Sequence, residues 1–280
     1  MAEVQILYIA TANGIVQLAK PGTSRRWRPV GEALAGQDIF AVRASASDPI
    51  VAYAGAASGL HATHDGGATW ELQRAIVVTA LAADEDGSIY AGTESGKVLH
   101  GVADAWTEVH AGDSAVVRLT MLPSGRMLAV YASGEVDELD GDTWGPANLV
   151  VPSAVDVVGS FAEPDELFVA NETSLVTRLG SHAVPGAPIY ALCLLRGKPE
   201  VLLVGTGDSV QRSDDGGNTL TPVAGPTNAR VIVSPPRYED YAYAGTAGGQ
   251  LWLTTDRGRT WSKLHEGMAA VRDLSFSRVR

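Results

Sequence analysis

The chain has 280 residues, of which 45% are hydrophobic and 19% are charged, and its formal net charge is −11. This composition is typical of a packed globular protein and excludes an intrinsically disordered one, which would combine few apolar residues with much charge. The net negative charge argues against nucleic acids and anionic membrane surfaces as partners, because both need a basic footprint. No apolar run approaches the roughly 18 residues that span a bilayer, so we expect no membrane insertion.

The first residues, 1–9, lack the basic segment, long apolar stretch and small-residue cleavage site of a secretory signal. We therefore expect a cytoplasmic protein. The single cysteine, Cys193, lies in the apolar run 189–195 and has no second cysteine with which to form an intrachain disulfide. Its surroundings favour a buried small hydrophobic residue over a reactive thiol, because no basic residue stands beside it.

Short runs of apolar and β-branched residues, separated by turns rich in Pro, Gly and Asp, follow one another along the chain. Such runs predict β-strands, and no stretch shows the periodicity of a helix. Within them, an aromatic or aliphatic residue is followed by small residues and usually, a few positions later, by glycine. This landmark recurs at a spacing of about 40 residues, close to the period of a four-stranded propeller blade. Its copies begin at Tyr8, Tyr53, Tyr90, Leu128, Phe168, Leu203 and Tyr243.

Each repeat unit predicts four strands. An apolar first strand precedes the landmark, which lies on the second strand; a third strand follows the glycine, and a fourth often opens with tryptophan. The predicted first strands are 39–44, 77–82, 116–122, 155–161, 189–195 and 231–234, and tryptophans open the fourth strand at positions 70, 106, 144 and 261.

The first repeat unit lacks a first strand, because its landmark already stands at Tyr8. Residues 270–276 repeat the first-strand pattern and have no second strand after them. We therefore predict that this C-terminal strand joins the N-terminal blade, which pairs edges that would otherwise be exposed. The predicted fold is all-β: one seven-bladed β-propeller domain over residues 1–280. Its blades are expected at 1–36 with 268–280, 37–74, 75–112, 113–150, 151–186, 187–226 and 227–267.

One phrase, Ser/Thr-x-Asp-x-Gly-x-Thr-Trp, stands at residues 63–70 and 254–261, with a copy lacking the Trp at 213–220. An Asp in a tight turn accepts hydrogen bonds from nearby backbone N–H groups, and Gly adopts a conformation that other residues resist. The Trp that follows can bury its ring beside the turn. We therefore assign a structural role, and no catalytic one, to Asp65, Gly67, Trp70, Asp215, Gly217, Asp256, Gly258 and Trp261.

This phrase resembles the Asp-box of the BNR-repeat propellers, and the resemblance extends over the whole chain. The group includes sialidases, the propeller of sortilin and the photosystem II assembly factor family. Resemblance to the last two implies a propeller that binds proteins or peptides without catalysis. The Arg-Ile-Pro motif of sialidases is absent, and Arg28-Pro29-Val30 is a different sequence.

Propellers usually bind at the mouth of the central channel, where loops enter the innermost strands. The first strand of each blade is the innermost one, next to the channel. From the first blade to the seventh, the residues just after the first apolar position of these strands are Arg272, Phe40, Thr79, Val117, Asp156, Tyr190 and Arg230, and Arg118 follows one place later in the fourth blade. Arginines there can attract an anion or a carboxylate. The alternative is an internal ion pair with Asp273 or Asp156. The candidate binding residues are Arg272, Arg230, Arg118, Phe40 and Tyr190.

The sequence contains no convincing catalytic set, so an enzyme is the less favoured interpretation. Its six histidines are scattered, and we expect neither a metal site nor a cofactor. We predict a non-catalytic binding or scaffolding module that recognises a protein or peptide partner, and the arginines are compatible with an acidic one. The alternative is a glycan-directed protein, either a glycoside hydrolase or a lectin, that uses the channel mouth. The oligomeric state stays open, with a monomer as the default.

Overall fold

The computed structural model describes residues 3–22, 24, 26–102, 105–178, 180–236 and 238–279. These residues form 28 strands, β1 to β28, in seven four-stranded antiparallel sheets. The sheets are the blades of a seven-bladed β-propeller, so the predicted all-β fold is confirmed. None of the described residues belongs to a helix long and apolar enough to cross a membrane.

The first compact unit comprises residues 1–119 and 268–280. It contains three complete sheets, numbered here by their order in the chain. Sheet 1 is β28 (Val271–Val279), β1 (Val4–Thr11), β2 (Gly14–Pro21) and β3 (Arg28–Ala33); sheet 2 is β4 (Ile39–Ala44), β5 (Ala52–Ala56), β6 (Gly59–Thr63) and β7 (Glu71–Arg74); sheet 3 is β8 (Val78–Ala83), β9 (Ile89–Thr93), β10 (Lys97–Val102) and β11 (Ala105–Ala111).

The second unit comprises residues 120–267, and the boundary falls within β12. Sheet 4 is β12 (Val116–Met121), β13 (Met127–Tyr131), β14 (Glu135–Asp140) and β15 (Thr143–Val150); sheet 5 is β16 (Ala154–Gly159), β17 (Leu167–Asn171), β18 (Ser174–Thr177) and β19 (Gly180–Ala183); sheet 6 is β20 (Ile189–Leu195), β21 (Val201–Thr206), β22 (Val210–Ser213) and β23 (Thr221–Val223); sheet 7 is β24 (Ala229–Val233), β25 (Ala242–Thr246), β26 (Leu251–Thr254) and β27 (Ser262–His265).

The N-terminal sheet takes its first strand from the C-terminus of the chain. Strand β28 pairs antiparallel with β1, from Val4 opposite Val279 to Thr11 opposite Val271. Side chains of β28 also bond to the backbone of sheet 2: the Ala44 N–H donates to Ser275 Oγ at 2.9 Å. The predicted completion of the N-terminal blade by the C-terminal strand is therefore confirmed.

The second strands β5, β9, β13 and β25 are buried at every position. Their Ala and Gly residues let the neighbouring sheet approach closely. A Cβ atom on Gly55 would lie 2.6 Å from Val78 Cγ1 and 2.8 Å from the Val78 carbonyl oxygen, both in sheet 3. The small residues of the landmark are thus required by packing between sheets.

Tryptophans at or near the start of fourth strands pack back against the preceding sheet. In the first unit, Trp70 meets Tyr8 edge-on at a ring-centroid distance of 6.2 Å, and Trp106 meets Tyr53 at 5.6 Å. Both geometries are the edge-to-face arrangement that aromatic pairs prefer. The landmark tyrosine and the tryptophan of the next repeat therefore form one contact between blades.

Candidate functional site

The three Asp turns share one hydrogen-bond pattern. In the first, Thr63 Oγ1 donates to Asp65 Oδ1 at 2.8 Å, and the Gly67 N–H donates to Thr63 Oγ1 at 2.8 Å. The Thr69 N–H and hydroxyl donate to the two carboxylate oxygens of Asp65, at 2.9 and 2.7 Å. The same bonds to the Asp Oδ1 atom and to the Ser or Thr hydroxyl recur in the other two turns. The second turn forms them with Ser213, Asp215, Gly217 and Thr219, and the third with Thr254, Asp256, Gly258 and Thr260.

The glycine two residues after the Asp of each turn lies against the preceding sheet. Gly67, Gly217 and Gly258 have φ angles of 93°, 85° and 77°, in the left-handed region that favours glycine. A Cβ atom on Gly217 would lie 2.7 Å from Leu175 Cδ2, and one on Gly67 would overlap the Gln17 side chain. The carboxylates of the Asp turns are thus engaged in holding a turn that packs between two blades.

Hydrogen bonds determine the acidity of these carboxyl groups. The backbone and side chain of Thr69, followed by the Thr63 hydroxyl, lower the pKa of Asp65 to about 2. Burial alone would raise the pKa of Asp256, but hydrogen bonds from Thr260 and Thr254 outweigh it and lower the pKa below its ordinary value. Both groups are held ionised at neutral pH, which suits a hydrogen-bond acceptor and does not suit a general acid.

The pKa of Asp65 predicts a pH-dependent contribution to stability. Because the pKa is about 2 in the folded chain and 3.8 as a reference value, this stabilisation is complete above about pH 4 and disappears as the pH falls through about 2. We expect the thermal midpoint of Asp65→Asn to be lower than that of the wild type at pH 6. Near pH 2, the two midpoints should approach each other. The exposed Asp142→Asn is the control. An equal difference between Asp65→Asn and wild type at both pH values would contradict the assignment.

Among the described strand pairings, six first strands begin with a one-residue β-bulge. Their pairing shifts register around a single extra residue, which is Phe40, Thr79, Val155, Tyr190, Arg230 or Arg272. In sheet 5 this residue is Val155, so the sequence-based placement of Asp156 at this position is wrong by one residue. Bulges occur next to functional sites and change the direction of a side chain.

The displaced residue, Asp156, is 1% exposed and bonds within the core. Its carboxylate accepts the N–H of Val157 at 2.9 Å and the N–H of Leu192, in sheet 6, at 2.8 Å. In sheet 1, Asp273 stands one position after the bulge in the same way. Its carboxylate accepts the N–H of Leu274 at 2.9 Å and, across to sheet 2, the N–H of Val42 at 3.0 Å. Both aspartates therefore connect first strands of neighbouring blades.

In the first unit, Arg272 forms an ion pair with Asp38, which was not predicted as its partner. Its Nε and Nη2 donate to Asp38 Oδ1 and Oδ2 at 3.1 and 3.0 Å. The proposed internal partner, Asp273, binds Arg43 instead, at 2.5 Å. The other two candidates of this unit, Phe40 and Arg118, are half-buried.

In the second unit, Arg230 stacks on Tyr190. The Arg230 Cζ atom lies 3.6 Å from the centroid of the Tyr190 ring. Arg230 is exposed and Tyr190 half-buried. Within the part of the chain that the structure describes, no ion pair joins Arg230 to a carboxylate. The first strands carrying the two residues, β20 and β24, are in contact.

The structure therefore brings together two pairs, Arg272 with Asp38 and Arg230 with Tyr190. The prediction that all five candidate residues form one binding surface stays a prediction. One feature of the sequence could have identified Asp38 as a partner of Arg272: it is an acidic residue directly before a first strand. A guanidinium and a phenol can both donate hydrogen bonds to a ligand. Among the described residues, no three His, Cys, Asp or Glu side chains are grouped so that they could hold a metal ion.

Comparison with known proteins supports the fold. No family model and no curated protein sequence matches the chain. It is similar in structure to YCF48 from Cyanidioschyzon merolae, with a TM-score of 0.63 and 14% identity, over 84% of this chain and 88% of that one. It is also similar to the computationally designed Ika8 protein, with a TM-score of 0.66 and 14% identity, over 96% of this chain and 86% of the other. At this identity the likeness shows the propeller fold alone.

Proposed function

We propose that this propeller is a non-catalytic binding module that recognises a protein or peptide partner. The observation that carries the proposal is the Arg230 and Tyr190 pair, an exposed arginine that stacks on an aromatic ring and forms no ion pair with a carboxylate of the described residues. Arginine and tyrosine are enriched among the residues that dominate binding energy at protein interfaces. The surrounding sheets supply a rigid support for such a contact.

Other features support the same proposal at a coarser level. The Asp turns are accounted for by hydrogen bonds within the turn and by packing between blades, which is compatible with membership of the BNR-repeat group. The likeness to YCF48 is compatible with a scaffold. We also propose that Arg272, Arg118 and Phe40 contribute to binding, with Arg272 the weaker contributor because Asp38 already neutralises it.

Selection from a random-peptide display library on the full-length protein tests this proposal. We expect enriched peptides whose affinity falls about tenfold or more in Arg230→Ala, since a central arginine contact contributes roughly 2 kcal/mol. Arg259→Ala is the matched control, because Arg259 is also an exposed arginine, in the turn between β26 and β27 of the same sheet, and is not among the proposed binding residues. Peptides that bind Arg230→Ala as tightly as wild type, or a selection that enriches none, would refute the proposal. Enrichment on a neutral glycan array instead would favour a lectin.

A further inference from the structure

We infer that the Arg230 and Tyr190 pair is a carboxylate-binding site, whose ligand is an Asp or Glu side chain of the partner. This inference rests on the proposed function and names the chemical group that the site takes. It is carried by an internal comparison between two arginines at the same structural position, one of which already holds a carboxylate.

Arg272 shows what an arginine at this position binds. Arg230 and Arg272 are both the extra residue of the bulge that opens a first strand, in sheets 7 and 1. Arg272 holds the Asp38 carboxylate with two nearly equal bonds, at 3.1 and 3.0 Å. This is the two-pronged geometry in which the planar guanidinium matches a carboxylate.

Asp38 supplies this carboxylate, and no other repeat has an acidic residue at the same position. Asp38 stands directly before the first strand that follows sheet 1 in the chain. The first strand that follows sheet 7 is β28, and the residue before it is Ala270. The residues in the same place before the remaining first strands are Val77, Ala115, Ser153, Pro188 and Asn228. The repeat thus provides Arg272, but not Arg230, with an acid in this place.

Stacking leaves the ligand-binding edge of Arg230 available. With Cζ only 3.6 Å from the ring centroid, the flat face of the guanidinium lies against Tyr190. The N–H groups point outward in the guanidinium plane. The arginine can therefore stack on the ring and, at the same time, donate hydrogen bonds from its edge to a carboxylate. The ring also limits the conformations of a long side chain, which lowers the entropy lost on binding.

Charge balance with a single arginine favours a carboxylate over a phosphate. A phosphate monoester carries about −1.5 to −2 charges at neutral pH, whereas a carboxylate carries one and is balanced by one arginine. The bulge residue of the neighbouring sheet 6 is Tyr190, that of sheet 5, which adjoins sheet 6, is Val155, and both are neutral.

NMR titration of the arginine Nε–Hε signals in the full-length protein tests the inference without a known partner. The probes are N-acetylaspartate amide, which carries one carboxylate, and inorganic phosphate. We expect Arg230 to bind the carboxylate probe about tenfold more tightly than the exposed Arg259 does, since paired charge-assisted hydrogen bonds add to the stacked geometry. Tyr190→Leu should remove this preference, and the Arg272 signal should respond little because Asp38 occupies it.

Equal responses of Arg230 and Arg259 to the carboxylate probe, or tighter binding of phosphate than of the carboxylate at Arg230, would overturn the inference. The second arm uses any peptide from the display selection, with its acidic residue changed to the amide. We expect at least a tenfold loss of affinity, and an unchanged affinity would count against a carboxylate ligand. If the selection yields no peptide that depends on Arg230, the proposed function fails, while the NMR result still decides the chemistry of the site.

Discussion

Deletion of residues 268–280 is expected to prevent the chain from folding into a soluble protein. The deletion removes β28, the first strand of sheet 1, and with it the fully buried Val271 and Leu274. Strand β1 would lose one of its two pairing partners along its whole length, would stay paired only with β2, and would become an exposed sheet edge. Because domains are stable by only about 5–15 kcal/mol in total, the loss of one buried strand is comparable to the whole stability.

The soluble fraction after expression and the thermal midpoint by calorimetry measure this effect. We expect an insoluble product or a midpoint at least about 10 °C lower. A synthetic peptide of residues 268–280, added during refolding, should restore soluble protein because its strand can pair with β1. The same peptide with Ser275→Ala and Ser277→Ala is the matched control, since it lacks the bonds to Ala44 and Pro49. A truncated chain that melts like the full one would show that β28 is dispensable.

The sheets could be predicted from the sequence because their determinants are local. Each landmark combines a large residue with Ala and Gly at fixed spacing, and the structure uses those small residues where sheets approach, as at Gly55 against Val78. The bonds to Oδ1 in the Asp turns span at most four residues, as in the bond from Thr69 to Asp65. Patterns of this length are visible without knowledge of the fold.

The partners of the arginines could not be predicted in the same way. Arg272 and Asp38 are separated by 234 positions, and Arg43 and Asp273 by 230. Only the pairing of β28 into sheet 1 brings them together, and sequence alignment of repeats carries no information on which side chain faces which. The error at Asp156 has a different cause: strand β16 begins at Ala154, one residue before its predicted start at 155, so the residue after its first apolar position is Val155.

Asp273→Ala is expected to destabilise the protein by about 3–5 kcal/mol, the range for removing one partner of a buried ion pair. The Asp273 residue is 3% exposed and accepts the N–H groups of Val42 and Leu274 together with Arg43 Nη1. The substitution leaves those three donors without this acceptor, and the Arg43 charge without its counter-ion. Arg272→Ala, one residue earlier, removes a pair whose side chains are 43% and 37% exposed, and should cost only about 0–1 kcal/mol.

Urea unfolding of the two variants and of wild type gives the free energies to compare, provided that the slope of the transition stays constant. Asp273→Asn is a useful third variant, because its amide oxygen can still accept one N–H group while the charge that balances Arg43 is lost. We expect its stability to lie between wild type and Asp273→Ala. If Asp273→Ala and Arg272→Ala had equal effects, the buried carboxylate would contribute no more than the exposed pair. The connection between sheets 1 and 2 would then depend on apolar packing and on other bonds between them, such as that from the Ala44 N–H to Ser275 Oγ.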